Sequence, residues 1–171
     1  PSSDGSEMTM IFSNCLPIDG MGEELSGRVV ISIDPNDINN MTRKFIDFTV
    51  IYEGQTYTIN MSVSCDAVSC SLTSEFVGPD GRKYRMDNAT VEFDGSSYTI
   101  TAKVYDPDHG YVMIEGQNIL FGSCASGVPS AGTMTITGSE GSSGTVIFTN
   151  CSSISVTVGA ETTDYRWDEI L

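Results

Sequence analysis

The chain has 171 residues and a mass of 18.4 kDa, with 8 basic and 23 acidic side chains and a formal net charge of −15 at pH 7. This length suits one ordinary domain, and the charge argues against binding to nucleic acid or to an anionic membrane surface, since both require basic patches. A hydrophobic share of 39 % excludes a disordered acidic tail. No apolar run approaches the roughly 18 residues of a membrane span, so we predict no transmembrane segment.

The chain opens with a polar lead-in, residues 1–6, which we expect to be flexible. A start of this kind is what the removal of a signal peptide or a lipoprotein leader would leave, and we take such processing as a hypothesis. Apolar residues alternate with polar ones from Met8–Cys15 onward, and the alternation returns in Tyr57–Val63, Tyr98–Val104 and Ser153–Val158. A period of two is typical of strands with one solvent-facing side, which occur in antiparallel sheets.

Turn residues separate these segments at short intervals. Glu53-Gly54 and Asp94-Gly95 stand between alternating runs, where glycine supplies the positive φ that a tight hairpin needs. We read about eleven to thirteen strands, joined mostly as hairpins. The predicted fold is all-β: an antiparallel meander rolled into a sandwich or a partly open barrel, in one domain over residues 1–171.

Two internal repeats support a meander built from duplicated hairpins. Phe48–Val63 aligns with Ala89–Val104, and each copy reads as one hairpin. The second repeat pairs Met10–Cys15 with Val146–Cys151, close to the two ends of the chain. Two copies are too few for a solenoid, which stacks at least three units.

The five cysteines indicate disulfide bonds rather than a metal site, because no second C-x₂₋₄-C pair accompanies the one between Cys65 and Cys70. Cys65 and Cys70 flank a tight reversal, and cross-strand Cβ atoms lie close enough to bond. Cys124 and Cys151 bracket a later hairpin, the one that contains Met134, Ile136, Val146 and Phe148, so we predict a bond between them that leaves Cys15 unpaired. The rival pairing joins Cys15 to Cys151, and buried free thiols in a cytosolic protein are the other alternative. Disulfides would place the chain in an oxidising compartment.

The segment Ser123–Gly138, followed by Phe148–Cys151, resembles the C-terminal part of hairpin-repetitive, β-rich secreted lipoproteins of Gram-negative bacteria. Phe12–Cys15 with Leu25–Gly27, and Tyr105–Tyr111, are similar to the same group. The function of that group is uncharacterised. The resemblance implies a β-rich architecture and a bacterial, extracytoplasmic setting: the periplasm, the outer surface or the medium.

Few residues suggest chemistry. His109 is the single histidine, and its place in a tight Asp-Pro-Asp-His-Gly turn gives little support to a catalytic triad. The segment Asp34–Asn39 holds four carboxylate or amide side chains that could bind Ca²⁺, but its spacing is not that of an EF-hand. Met8 and Met10 would face one side of a strand, as a soft Cu(I) pair or as packing residues. We expect no catalytic residue and no cofactor.

The C-terminal tail, residues 161–171, places Tyr165, Trp167 and Leu171 on one face if it is extended. Such a segment can be the last strand of its own sheet, or it can cover the open edge Met8–Cys15 in the same molecule or in the next one. The sequence therefore favours a non-enzymatic, extracytoplasmic structural or adhesive surface protein that self-associates through sheet edges into an assembly or filament, or that binds another surface protein. A glycan- or metal-binding module is the alternative, and a polysaccharide-active enzyme is the third.

Overall fold

The structure, a computed structural model, describes residues 6–16, 24–122, 124 and 127–167. Every element in this part is a β-strand, and the twelve strands are Glu7–Cys15 (β1), Glu24–Asp34 (β2), Asp37–Tyr52 (β3), Gln55–Cys65 (β4), Ser69–Val77 (β5), Lys83–Phe93 (β6), Tyr98–Asp106 (β7), Gly110–Leu120 (β8), Ala131–Gly138 (β9), Ser143–Asn150 (β10), Ser153–Val158 (β11) and Glu161–Arg166 (β12). Each strand pairs antiparallel with the next one along the chain, so the predicted all-β meander is confirmed.

The twelve strands form one sheet that does not close into a barrel. Extensive contacts join only strands that are neighbours in the sheet, and among the described residues no second layer covers either face. β1 and β12 are therefore the two edges, at opposite ends of the sheet. Closure would require the first and last strands to meet in register, and neither edge pairs with the other here.

The sheet has an apolar face and a polar face, because side chains alternate along each strand and partners across strands share a side. The apolar face carries the apolar residues of the alternating sequence pattern. Examples are Val29, Phe45, Leu72, Val104 and Ile136. These side chains cover one another laterally, and most stay half-exposed.

The best-packed part of the apolar face lies in the C-terminal half. Ile119, Phe148 and Ile154 are buried together there, and Ile119 has no exposed surface. Tyr98, Ile100, Met134, Val146, Val156 and Trp167 pack around them. The sheet thus has a local core without a second layer.

Left-handed residues mark four register shifts in the sheet. Asn14, Asp47, Asn88 and Asn118 have φ values of 50°, 45°, 51° and 54°, and each lies where its strand carries one extra residue. These are β-bulges, and Asn and Asp tolerate the left-handed conformation better than most residues. No Gly or Pro in the sequence indicates these bulges, so the sequence pattern alone does not predict them.

Both members of the first repeat are hairpins, as predicted: β3–β4 and β6–β7. Their turns differ, because Tyr52 pairs with Gln55 in the first hairpin whereas Phe93 pairs with Tyr98 in the second. The registers of the two copies therefore differ by two residues at the hairpin tip.

Candidate interaction surface at the sheet edges

The first predicted disulfide, Cys65–Cys70, closes the tip of the β4–β5 hairpin. The two residues face each other with Cα atoms 4.0 Å apart. Asp66 supports the turn, since its Oδ1 accepts hydrogen bonds from the backbone N–H groups of Val68 and Ser69 at 2.9 and 2.8 Å. Hydrogen bonds to the ionised form lower the pKa of the Asp66 carboxyl, Val68 contributing most.

The second predicted disulfide, Cys124–Cys151, ties the end of β10 to the segment between β8 and β9, with Cα atoms 5.2 Å apart. Cys124 is buried. The rival pairing of Cys15 with Cys151 is therefore absent, and Cys15 is a free, half-buried thiol at the end of β1, whose Sγ lies 3.8 Å from the carbonyl oxygen of Ser13. Both predicted bonds are present, and the free cysteine is the predicted one.

The tail predicted at residues 161–171 begins with β12, the last strand of the sheet. Tyr165 lies opposite Ile154 on the apolar face and keeps 39 % of its surface exposed. Trp167 stacks on Phe148 with ring centroids 6.2 Å apart and an interplanar angle of 9°, and its backbone N–H donates to the carbonyl oxygen of Ser152 at 3.1 Å. Leu171 lies outside the described residues.

These contacts change the role expected of the tail. β12 stands at the opposite edge of the sheet from β1, so it does not cover that edge in the same molecule. Trp167 is engaged with the local core of its own chain, which leaves Tyr165 as the exposed aromatic residue of the described part of the tail. An assembly role of the tail stays a prediction.

β1 is an open edge with few of the features that usually protect one. Edge strands of monomers are commonly blunted by Lys, Pro or a covering loop. The nine residues of β1 include no Lys, Arg or Pro, and their one charged side chain is Glu7. Ile11 is 75 % exposed on the polar face and Met8 is 43 % exposed on the apolar face. This strand offers a hydrogen-bonding edge flanked by exposed apolar side chains.

The opposite edge differs in charge. All six residues of β12 are exposed, and three of them, Glu161, Asp164 and Arg166, are charged. Charged side chains on an edge strand commonly oppose its pairing with another chain, and β12 carries three where β1 carries one. β12 is therefore the better protected of the two edges.

The polar face carries a single line of hydroxyl and carboxylate side chains across the whole sheet, which we call the hydroxyl row. Its members, each directly opposite the next, are Glu7, Ser32, Thr42, Ser64, Ser71, Thr90, Thr101, Glu115, Thr135, Thr145, Thr157 and Thr162. Neighbouring hydroxyls bond directly in places, as Thr90 and Thr101 do at 2.7 Å. Strand spacing gives the row a length of roughly 50 Å.

A cluster of cationic side chains and aromatic rings lies on the polar face of this acidic protein. The sequence pattern does not predict this cluster. Lys103 Nζ lies 3.8 Å from the ring centroid of Tyr111 and 4.8 Å from that of Tyr105, and the Arg85 guanidinium lies 4.2 Å from the Tyr105 ring. The side-chain hydrogen bond between Lys103 and Tyr105 raises the pKa of Lys103 and lowers the pKa of Tyr105.

A shallow, open cleft of about 350 Å³ lies beside this cluster. Lys44, Asn60, Glu75, Arg85 and Asp87 are among the residues that line it, so both charge signs and an amide face the cleft. Arg85 is also paired with Asp87 through Nε, at 3.0 Å.

The turn that holds His109 is a network of local bonds. The Asp106 carboxylate accepts from the backbone N–H groups of Asp108 and His109, and its Oδ1 lies 2.8 Å from His109 Nδ1. Its pKa is lowered, with the Asp108 bond as the largest cause. Arg82 pairs with Asp106 and Asp108. The imidazole is 81 % exposed, and the described contacts place no nucleophile beside it.

The candidate Ca²⁺ segment forms local turns. Asp34 Oδ1 accepts from the N–H of Asn36 at 2.8 Å, and Asp37 Oδ1 accepts from the N–H of Asn39 at 3.1 Å. Within residues 6–16, 24–122, 124 and 127–167, no group of three or more His, Cys, Asp and Glu side chains is arranged to hold a metal ion. Met8 and Met10 share the apolar face with their partners on β2.

The fold and surfaces define an open, disulfide-linked antiparallel β-meander. The chain matches no family model, and neither the curated proteins nor the solved structures give a match to it. The resemblance to Gram-negative lipoproteins therefore stays a prediction. The described part of the chain holds no helix long and apolar enough to cross a membrane.

Proposed function

We propose that this chain is a non-enzymatic structural or adhesive protein of an extracytoplasmic surface, and that it self-associates through the edges of its sheet. One observation carries the proposal: the described residues form a single open sheet whose two edge strands each pair on one side only, and β1 has neither Lys nor Pro to protect it. Pairing of such an edge with another strand satisfies its backbone groups and extends the sheet.

The cysteines and the charge support the same proposal. Two disulfides suggest an oxidising, extracytoplasmic environment. We assign the chain more narrowly to the periplasm, the outer surface or the medium. The net charge of −15 repels copies from one another at low ionic strength, and physiological salt screens that repulsion beyond about 8 Å. Edge pairing is a short-range contact, so salt should favour it.

The test is the size of the native particle. We expect light scattering after size-exclusion chromatography to show species larger than the 18.4 kDa chain at micromolar concentration in 150 mM salt, and negative-stain images to show particles longer than one sheet, either pairs of merged sheets or filaments. Dilution into 10 mM salt should shift the population towards the monomer. A chain that stays monomeric under all these conditions contradicts the proposal.

The second candidate function is the binding of a polysaccharide on the polar face. The hydroxyl row and the adjacent cleft favour it, because evenly spaced hydroxyls and mixed charges match a polymer with repeating hydroxyl groups. The test is retention on insoluble polysaccharides by the intact chain and by Arg85→Ala, a residue that lines the cleft and belongs to the cluster of cations and aromatic rings. Equal retention of both, or none by either, would count against a site at this cluster.

A further inference from the structure

The two ends of the sheet repeat each other in three dimensions. Phe12 in β1 lies opposite Gly27 in β2, and Phe148 in β10 lies opposite Gly132 in β9. Both phenylalanines belong to the second sequence repeat, which aligns Met10–Cys15 with Val146–Cys151. The pair β1–β2 is therefore related to the pair β10–β9 by a local two-fold axis normal to the sheet.

The strands next to these pairs extend the equivalence. Gly27 and Gly132 both have a φ of +124°. A Cβ at Gly27 would lie 2.6 Å from the carbonyl oxygen of Asp47, and a Cβ at Gly132 would lie 2.8 Å from that of Asn118. In both places the glycine faces the left-handed residue of a bulge in the third strand. The match thus covers three strands at each end.

The two equivalent strands differ on their other side. β10 is paired there by β11, whose Ile154, Val156 and Val158 face Phe148, Val146 and Gly144. β1 has no strand on that side among the residues that the structure describes. The side of β10 that β11 occupies therefore corresponds to the side of β1 on which the described residues place no strand.

The pairing of β1 with β2 determines which residues of β1 direct their backbone N–H and C=O groups away from the sheet. Ile33 donates its N–H to the carbonyl oxygen of Ser6 at 2.8 Å, so the even-numbered residues of β1 direct their backbone groups towards β2. Alternation then turns the N–H and C=O groups of Thr9, Ile11 and Ser13 outward. The corresponding residues of β10 direct theirs towards β11.

The occupant that the edge accepts is a strand with apolar side chains at alternate positions, as β11 has. β12 does not fit, since it presents Glu161, Thr163 and Tyr165 on the apolar face. β1 itself does fit, with Met8, Met10 and Phe12. We propose that β1 of a second copy docks antiparallel on β1 about a two-fold axis, which merges two sheets into one. This inference rests on the proposed function and specifies its edge and its partner.

The side chains select one register. With Met10 opposite Met10 of the second copy, Phe12 lies opposite Met8, and all three apolar residues of each strand meet apolar partners. Glu7 then faces Ser13, so no like charges oppose each other. A shift of two residues would place Met8 or Phe12 opposite the polar residues Asn14 or Ser6. An interface between identical surfaces closes on itself as a two-fold dimer.

The first experiment blocks each edge in turn and measures the dissociation constant of the dimer by sedimentation equilibrium. Thr9→Pro removes an outward N–H of β1 and leaves the pairing with β2 intact, and Thr162→Pro is the matched change at the outer edge of β12. We expect Thr9→Pro to raise the dissociation constant at least about tenfold and Thr162→Pro to change it less than about twofold.

The outcomes separate the inference from the proposed function. If the intact chain self-associates and Thr9→Pro has no effect, or Thr162→Pro weakens association instead, the β1 interface is wrong and assembly through sheet edges stands. If the intact chain is monomeric at every concentration, both fail.

The second experiment tests the register by crosslinking and does not depend on a proline variant. In a Cys15→Ser background, Met10→Cys places two thiols at a non-hydrogen-bonded pair, the same kind of pair that Cys65 and Cys70 bridge with Cα atoms 4.0 Å apart. Oxidised glutathione is the oxidant: two protein thiols form one disulfide, and glutathione disulfide is reduced to two thiols. We expect a covalent dimer from Met10→Cys. Met8→Cys, which faces Phe12, should give none, and faster crosslinking of Met8→Cys would overturn the register.

Discussion

Gly132 is a position where a single added methyl group should be strongly destabilising. A Cβ built there would lie 2.7 Å from Cδ1 of Ile119, 2.8 Å from Cα of Ile119 and 2.8 Å from the carbonyl oxygen of Asn118. Two of these atoms are backbone, and Ile119 is fully buried, so the site has little freedom to adjust. The φ of +124° adds strain for any residue with a side chain.

We expect Gly132→Ala to lower the free energy of unfolding by about 2–5 kcal/mol, from about 1–2 kcal/mol of backbone strain and about 1–3 kcal/mol of overpacking. The matched control is Gly54→Ala, at a hairpin tip with a φ of +70° and no atom within 4 Å of the new Cβ. It should cost about 1–2 kcal/mol, from strain alone. Urea titrations followed by far-UV circular dichroism and by the fluorescence of Trp167 measure both. Equal, small losses for the two variants would refute the packing argument.

Three further predictions concern the disulfides, the pH and the tail. Replacing Cys124 and Cys151 by serine should cost about 3–4 kcal/mol in the free energy of unfolding, because the bond closes a loop with a sequence separation of 27; a chemical denaturation curve with no shift would contradict this. The backbone N–H groups of Ser97 and Ser96 lower the pKa of Asp94 to about 2, so its stabilisation is complete above the unfolded pKa near 4 and is lost as the pH falls towards 2. Asp94→Asn should flatten the loss of stability over that window in acid titrations. Trp167→Ala should lower the free energy of unfolding by about 2 kcal/mol, since the stacked ring is only half-buried; an unchanged value would show that the stacking contributes nothing.

Local patterns predicted much of this fold. The period-two alternation predicts the strands. The short spacing between Cys65 and Cys70, on either side of a tight reversal, predicts the first disulfide. The edge at β1 was also predictable, because the first strand of an open meander pairs on one side only. These features depend on residues that are near in sequence, where strand and turn preferences decide the outcome.

Features that depend on register across several strands could not be predicted. Arg85 lies opposite Tyr105 on the polar face only because the bulge at Asn88 shifts the pairing of β6 with β7. The engagement of Trp167 with Phe148 depends on the short β10–β11–β12 meander, which the tail residues alone do not specify. Closure of the sheet depends on twist and stagger summed over all strands, and alternation carries no information on either.

Because strands contact only their neighbours, folding of this chain is a sequence of local events. Any hairpin can nucleate, the adjacent strand can then zip onto it, and no contact between distant parts of the sequence has to form first. The same property makes stability vary along the sheet, with the terminal strands fraying before the interior ones and the densely packed β8–β11 segment opening last. Native-state hydrogen exchange should therefore show a gradient of protection from β1 towards β10. A β1–β1 dimer would raise the hydrogen-exchange protection of the β1 amides, at the low end of that gradient. Docking of a second copy would then add a strand to the sheet in the same way that folding adds each strand to its neighbour.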